Sequence, residues 1–150
     1  MMSIAEFCET ELAVVERSSS LADAARKMRE LHLGDVVVCD IIGEQAKPVG
    51  LLTDRDIVVG VVALDLNIDS LTVEDVMTPT LVTLNEDASV HEAVHLMESY
   101  GLRRVAVVDT DGALIGLVSS SALLEYIGQE LACLSKLPGR LRKREQELRA

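Results

Sequence analysis

Gly50-Leu51-Leu52-Thr53-Asp54-Arg55-Asp56 is an apolar run that stops at a hydroxyl and, three residues on, a carboxylate, just before a second apolar stretch, Ile57-Val58-Val59. This order predicts a buried strand ending at a helix N-terminus. There the first backbone N–H groups lack partners and the dipole is positive, so an anion can be held. Thr53 would donate to a phosphate oxygen while Asp56 accepts from two vicinal hydroxyls, the contacts a ribose phosphate asks for. Thr-x-x-Asp is equally a capping box whose side chains satisfy the helix's own amides. The stretch alone leaves both readings open.

The pattern returns 66 positions later as Gly116-Leu117-Val118-Ser119-Ser120-Ser121-Ala122, with the hydroxyl kept and the carboxylate gone. A helix start survives that change because Ser119 can cap alone, but a ribose acceptor does not. Sliding the chain against itself pairs residues 3–40 with 72–109 at a constant offset of 69. Leu12/Leu81, Ser20/Ser89, Ala24/Ala93, Met28/Met97, Leu33/Leu102, Val36/Val105, Val38/Val107 and Asp40/Asp109 are identical. After a three-residue shortening, Gly50/Gly116 and Leu51/Leu117 resume the register. Two copies are too few for a solenoid and fit a pseudo-twofold pair whose halves bury one another.

Each copy opens with a capped turn, Ser3-x-x-Glu6 or Thr72-x-x-Asp75, the second followed by Met77-Thr78-Pro79. A strand is predicted next, Leu12–Val15 and Leu81–Leu84. A helix entered by Ser20-x-x-Asp23 or Ser89-x-x-Glu92 follows, with Leu21, Ala24, Ala25, Met28 and Leu31, or Val90, Ala93, Val94 and Met97, along one face. Two all-apolar strands come next, Val36–Cys39 with Val49–Leu52 and Val105–Val108 with Ile115–Val118. Continuous hydrophobicity implies that both faces are covered. The second hairpin turns at Asp109-Thr110-Asp111-Gly112, whereas the first is read as a longer loop holding Gly43, Lys47 and Pro48. Helices at about 56–64 and 122–135 close the copies, and Ala63–Leu71 reads as a linker.

The 150 residues are 49% hydrophobic but only 2% aromatic, so the core is aliphatic and base stacking on rings is not expected. A formal charge of −11 argues against nucleic acid and anionic membranes as partners. Cys8, Cys39 and Cys133 show no paired spacing, which predicts packed thiols in a reduced, cytoplasmic compartment. Glu6, Glu9 and Glu11 leave no signal-peptide pattern at the start. No uncharged stretch approaches the roughly 20 residues of a spanning helix, so a soluble protein is expected. Beyond Pro138-Gly139 the composition turns basic, with Arg140, Arg142, Lys143, Arg144 and Arg149. Leu124, Ile127, Leu131 and Leu134 follow helical spacing that Leu141 and Leu148 would extend if Pro138-Gly139 did not intervene.

The duplicated strand-helix-strand-strand-helix unit, with Gly50–Asp56 and Val73-Glu74-Asp75-Val76-Met77-Thr78-Pro79, resembles a tandem pair of CBS domains, or Bateman module, over about residues 3–135. The resemblance implies an α/β fold of two pseudo-twofold repeats, residues 3–66 and 72–135, followed by a basic helical tail at 136–150. It also implies inter-repeat clefts that hold adenosine-containing ligands, a homodimer, and control of a partner protein. Carried over, Thr53 lies near the phosphate, Asp56 on the ribose and Leu51 against the adenine, while Arg103 and Arg104 reach across to the phosphates. The first copy has Gly34 and Asp35 at the arginine positions, so one competent and one degenerate cleft are expected. Independently, only nine of the fourteen basic residues precede residue 139, and two of them adjoin at a strand entrance.

His91-Glu92-Ala93-Val94-His95 spells the zinc-protease signature. It occupies the helix aligned to Ala22–Arg26, Glu92 is placed for capping, and no third ligand follows, so exposed histidines are expected and no metal. Asp54 and Asp56 lack a nucleophile with a positioned base. The expected function is therefore non-catalytic: a regulatory module binding AMP, ADP or ATP, with no required cofactor. A ligand-free docking homodimer is the alternative.

Overall fold

The computed structural model describes residues 2–79 and 82–150. Each copy forms a three-stranded sheet: β1 (Val14–Val15), β2 (Asp35–Ile42) and β3 (Gln45–Thr53) in the first, β4 (Thr83–Asn85), β5 (Arg104–Val108) and β6 (Leu114–Ser119) in the second. In both, the short first strand runs parallel to the central one and the hairpin is antiparallel. The second copy's opening strand was expected from Leu81, which lies outside the described residues.

The helices of the two copies begin where hydroxyl side chains capture backbone amides. α1 (Leu21–Leu31) starts at Ser20, whose Oγ accepts from Asp23 N at 3.0 Å. α3 (Val90–Tyr100) carries a full capping box, with Glu92 N donating to Ser89 Oγ at 3.1 Å and Ser89 N to Glu92 Oε2 at 2.7 Å. Asp23 closes no such box, because its carboxylate turns to Arg26 instead. α2 (Asp54–Gly60) and α4 (Ser120–Ser135) start two residues earlier than the sequence predicted, directly after the strands, with Thr53 and Ser119 as caps.

Continuous apolar strands are explained by three packed layers. Val36, Val38 and Leu52 face α1 and α2, and Val105, Val107 and Val118 face α3 and α4. The alternate residues Val37, Cys39, Ala106 and Leu117 meet between the two sheets. The central strands β2 and β5 thus bury both faces, one within their own copy and one against the other copy.

The opening segments cross over. Residues 3–9 pack on the second copy, where Ile4 is fully buried beside Leu84 and Val118, and Glu9 exchanges backbone hydrogen bonds with Leu117. Residues 72–78 pack on the first, with Val73 and Met77 in its core and Thr78 bonded to Leu51. Gly50 and Gly116 permit this approach. A Cβ on Gly50 would lie 2.7 Å from Thr78 O, and one on Gly116 2.7 Å from Glu9 O.

Two expectations are corrected. The first hairpin is tight, turning at Gly43 (φ 64°), and Lys47 and Pro48 belong to β3. Pro48 is tolerated beside the register shift at Val38/Cys39, on a strand at the edge of the sheet. The Ala63–Leu71 stretch is ordered into two short 3-10 turns, with Ile68 and Leu71 packed on the first core. Only Lys136 separates α4 from α5 (Leu137–Arg149), whose first turn accommodates Pro138 because that position needs no amide donor. No helix among the described residues is long and apolar enough to cross a membrane.

Candidate functional site

Thr53 ends β3 and caps α2, and Asp56 sits one turn in. Asp56 N donates to Thr53 Oγ1 at 3.1 Å, and Thr53 N donates to Asp56 Oδ2 at 2.9 Å. The capping reading of the sequence is therefore realised. It does not exhaust either side chain: Thr53 Oγ1 serves as acceptor and keeps its own proton to donate. Asp56 commits Oδ2, and Oδ1 makes no hydrogen bond among the described residues. α2 spans only seven residues, so recognition of an anion here would rest on side chains.

Opposite Thr53 in the β2–β3 ladder stands Asp35, the first residue of β2. Its carboxylate is met by Arg104, the first residue of β5, whose Nη1 lies 2.9 Å from Oδ2 and 3.1 Å from Oδ1. Nη2 of Arg104 donates to Glu9, carried in by the crossed-over opening segment. Nε is buried without a hydrogen-bond partner among the described residues. The guanidinium of the second copy thus reaches the head of the first copy's strands, beside Thr53, but arrives neutralised by two carboxylates. Asp35, which stands at the arginine position of the first copy, is itself engaged by Arg104.

Burial drives the carboxyl of Asp35 above the ordinary aspartate value, against the pull of Arg104, and the neighbouring charges of Glu9 and Asp54 push the same way. One guanidinium shared between two carboxylates leaves Asp35 incompletely compensated.

The remaining expected site residues are more dispersed. Arg103 is exposed, and its carbonyl accepts from Ser120 N at 2.8 Å. Leu51 is half-buried and packs into the layer between the sheets. Asp56 lines a shallow hollow of about 250 Å³ with Val59, Gly60, Asp75 and Val76, which Thr53 and the arginines do not line. Asp75 is a second carboxylate there, held below the usual range by hydrogen bonds from Thr72 N at 2.8 Å and Thr72 Oγ1 at 3.0 Å.

Glu9 was not singled out by sequence. Its only signal is its alignment with Thr78, which becomes informative once both opening segments are known to cross over. Burial pushes the thiols of Cys8 and Cys39 up to about 11, which suits packing and not nucleophilic attack. Glu92 is occupied by its cap and is held below the usual range by Ser89. Among the described residues no group of three or more His, Cys, Asp or Glu side chains is arranged to hold a metal ion.

The sequence matches the CBS domain twice, over residues 4–62 and 73–129. An uncharacterized protein of Methanopyrus kandleri is 33% identical over 147 residues, 98% of this chain and 72% of that protein. Among solved structures, a conserved CBS domain protein of unknown function from Thermoplasma acidophilum is 27% identical with a TM-score of 0.72, covering 83% of this chain and 68% of that one. CBSX2, solved in complex with AMP, shares the fold at a TM-score of 0.69 and 24% identity, covering 86% of this chain and 98% of that one.

Proposed function

The chain belongs to the CBS domain family, and on that footing we propose that it is a non-catalytic regulatory module that binds an adenine nucleotide (AMP, ADP or ATP) between its copies. The observation that carries this reading is the convergence of Thr53, with a proton to donate, and Arg104, from the other copy, on the head of β2 and β3. Asp56 Oδ1 supplies an acceptor for ribose hydroxyls without disturbing the cap. Arg103 extends the positive edge, and Leu51 offers the aliphatic surface that a chain this poor in aromatics would use for adenine. The same fold holds AMP in CBSX2. A phosphate that draws Arg104 away from Asp35 and Glu9 would loosen a contact joining the two copies and the opening segment, and so shift their relative set.

The output surface is apolar. Leu124, Ile127, Leu131 and Leu134 on α4 are 44–71% exposed, with Val58 and Val62 at and beyond α2 in the other copy. A second copy related by a twofold axis would cover them, giving the homodimer that signals to a partner protein. The basic helix α5 projects beyond that surface. The neutralised state of Arg104 favours a second reading in the absence of nucleotide, a ligand-free docking homodimer.

Isothermal titration calorimetry with AMP, ADP, ATP and S-adenosylmethionine tests the choice. Binding by wild type that is lost in Asp56→Ala and weakened in Asp56→Asn, which retains an acceptor for Thr53 N, supports sensing. No heat from any of the four ligands supports docking alone.

A further inference from the structure

The two histidines of the His-Glu-x-x-His spelling are brought together in a way the nucleotide reading does not use. α3 holds His91 and His95 one turn apart on its exposed side, with ring centroids 4.3 Å apart and planes at 65°. The helix beneath them is fixed, capped by Ser89 and Glu92 at one end and by Gly101 at the other, with Ala93 and Met97 buried in the core. Both rings border an open hollow of about 460 Å³, with Leu84, Leu96, Ser99 and Tyr100. The equivalent positions of α1 are Ala22 and Arg26, so the pair is a property of the second copy alone.

We propose that His91 and His95 form a bidentate site for a late first-row divalent ion such as Ni²⁺, Cu²⁺ or Zn²⁺. Imidazole suits these ions, and two nitrogens on adjacent turns can both approach one ion at about 2.0–2.1 Å. The rigid helix removes most of the ordering cost of chelation. The Glu92 carboxylate, beside His91 and fixed by its bond from Ser89 N, borders the same hollow, and the net charge of −11 concentrates cations around the molecule. Water fills the remaining positions. The arrangement is distinct from a zinc protease, because Glu92 is engaged with Ser89 and no third protein ligand is present among the described residues.

The test is nucleotide-free, so its result is separate from that of the nucleotide titrations. NiCl₂ and ZnCl₂ are titrated calorimetrically into the full chain carrying Cys133→Ser, which removes the exposed thiol as a competing ligand. One ion per chain is expected, with binding weakened about tenfold or more in either His91→Ala or His95→Ala, since second-shell partners alone are worth 10–100-fold in metal affinity. His32→Ala is expected to leave it unchanged. The melting temperature should rise with Ni²⁺ only where both histidines are present, a readout that survives if either variant is less stable. Equal affinity in parent and variants, or no saturable binding up to millimolar metal, overturns the proposal.

Discussion

Arg104 and Asp35 occupy the same position in the two copies, 69 residues apart, and their side chains meet at 2.9 Å. Equivalent residues touch only near the axis that relates the halves, so this ion pair lies on the seam of the molecule. Its charges are unbalanced, because Glu9 claims the same guanidinium.

The imbalance predicts a pH signature. The folded carboxyl of Asp35 titrates above its unfolded value of 3.8, so the folded state binds the proton more readily. Ionising Asp35 therefore costs stability as the pH rises through that window, and the cost is complete above the folded value. Asp35→Asn, which mimics the protonated form, should match wild type at pH 3 and become the more stable of the two as pH rises toward neutrality. Urea denaturation at a series of pH values measures the gap. A gap that opens only on acidification would show that Asp35 is held by Arg104 more strongly than it is penalised by burial.

The crossed-over opening segments make Gly50 and Gly116 paired points of failure. Neither glycine needs unusual dihedral freedom; what each needs is the absence of a Cβ. Gly116→Ala would set its methyl 2.7 Å from Glu9 O and 2.8 Å from Cys8 Cβ, and backbone yields poorly. A loss of about 1–3 kcal/mol is expected for each alanine variant. Hydrogen exchange should report early opening of residues 3–9 in Gly116→Ala and of 72–78 in Gly50→Ala. Normal protection of those segments in both variants would contradict the packing described.

His32 and Gly101 end α1 and α3 in the same left-handed conformation, at φ 55° and 64°. The second copy uses the residue that adopts it without strain, and the first does not. His32→Gly should stabilise the protein by about 0.5–1 kcal/mol, since relief of the strain outweighs the freedom glycine adds to the unfolded chain. For a chain of this size that corresponds to a melting-temperature rise of about 1–4 °C. Calorimetry on the two proteins decides it, and a fall in melting temperature would mean that the imidazole makes a contact worth more than the strain.

Much of this fold was legible because the chain states it twice. The offsets of 69 and 66 located the hairpins and the capped helices, and the unbroken runs at Val36–Cys39 and Val105–Val108 announced strands covered on both faces. The crossover was not legible: nothing in the sequence says in which copy Ile4, Val73 and Met77 are buried. Pro48 misled because proline is usually a loop residue; the register shift at Val38/Cys39 and the edge position of β3 allow it in a strand. For the site, the sequence singled out Thr53 and Asp56, but their mutual capping could not be separated from ligand binding. The alignment already set Asp35 against Arg104, yet nothing in it said that the two touch, which depends on the position of the axis.

The proposed nucleotide site supplies a last prediction, because its cation is already occupied. A phosphate reaching Arg104 must compete with Glu9, a half-exposed carboxylate, and with Asp35, which is buried beside Thr53 and less easily displaced. Removing the weaker competitor should strengthen binding. An exposed pair of this kind is worth about 0.2–1 kcal/mol, so Glu9→Gln should tighten ATP up to about fivefold. Arg104→Gln should weaken it about tenfold or more, the scale of a lost charge-assisted hydrogen bond. AMP, with a single phosphate to place, should respond less than ATP to both changes if the guanidinium serves the outer phosphates. Calorimetric titration of both nucleotides into the three proteins resolves the pattern. Equal affinities across all three would remove Arg104 from the site and leave its pairing with Asp35 and Glu9 as a purely structural clasp.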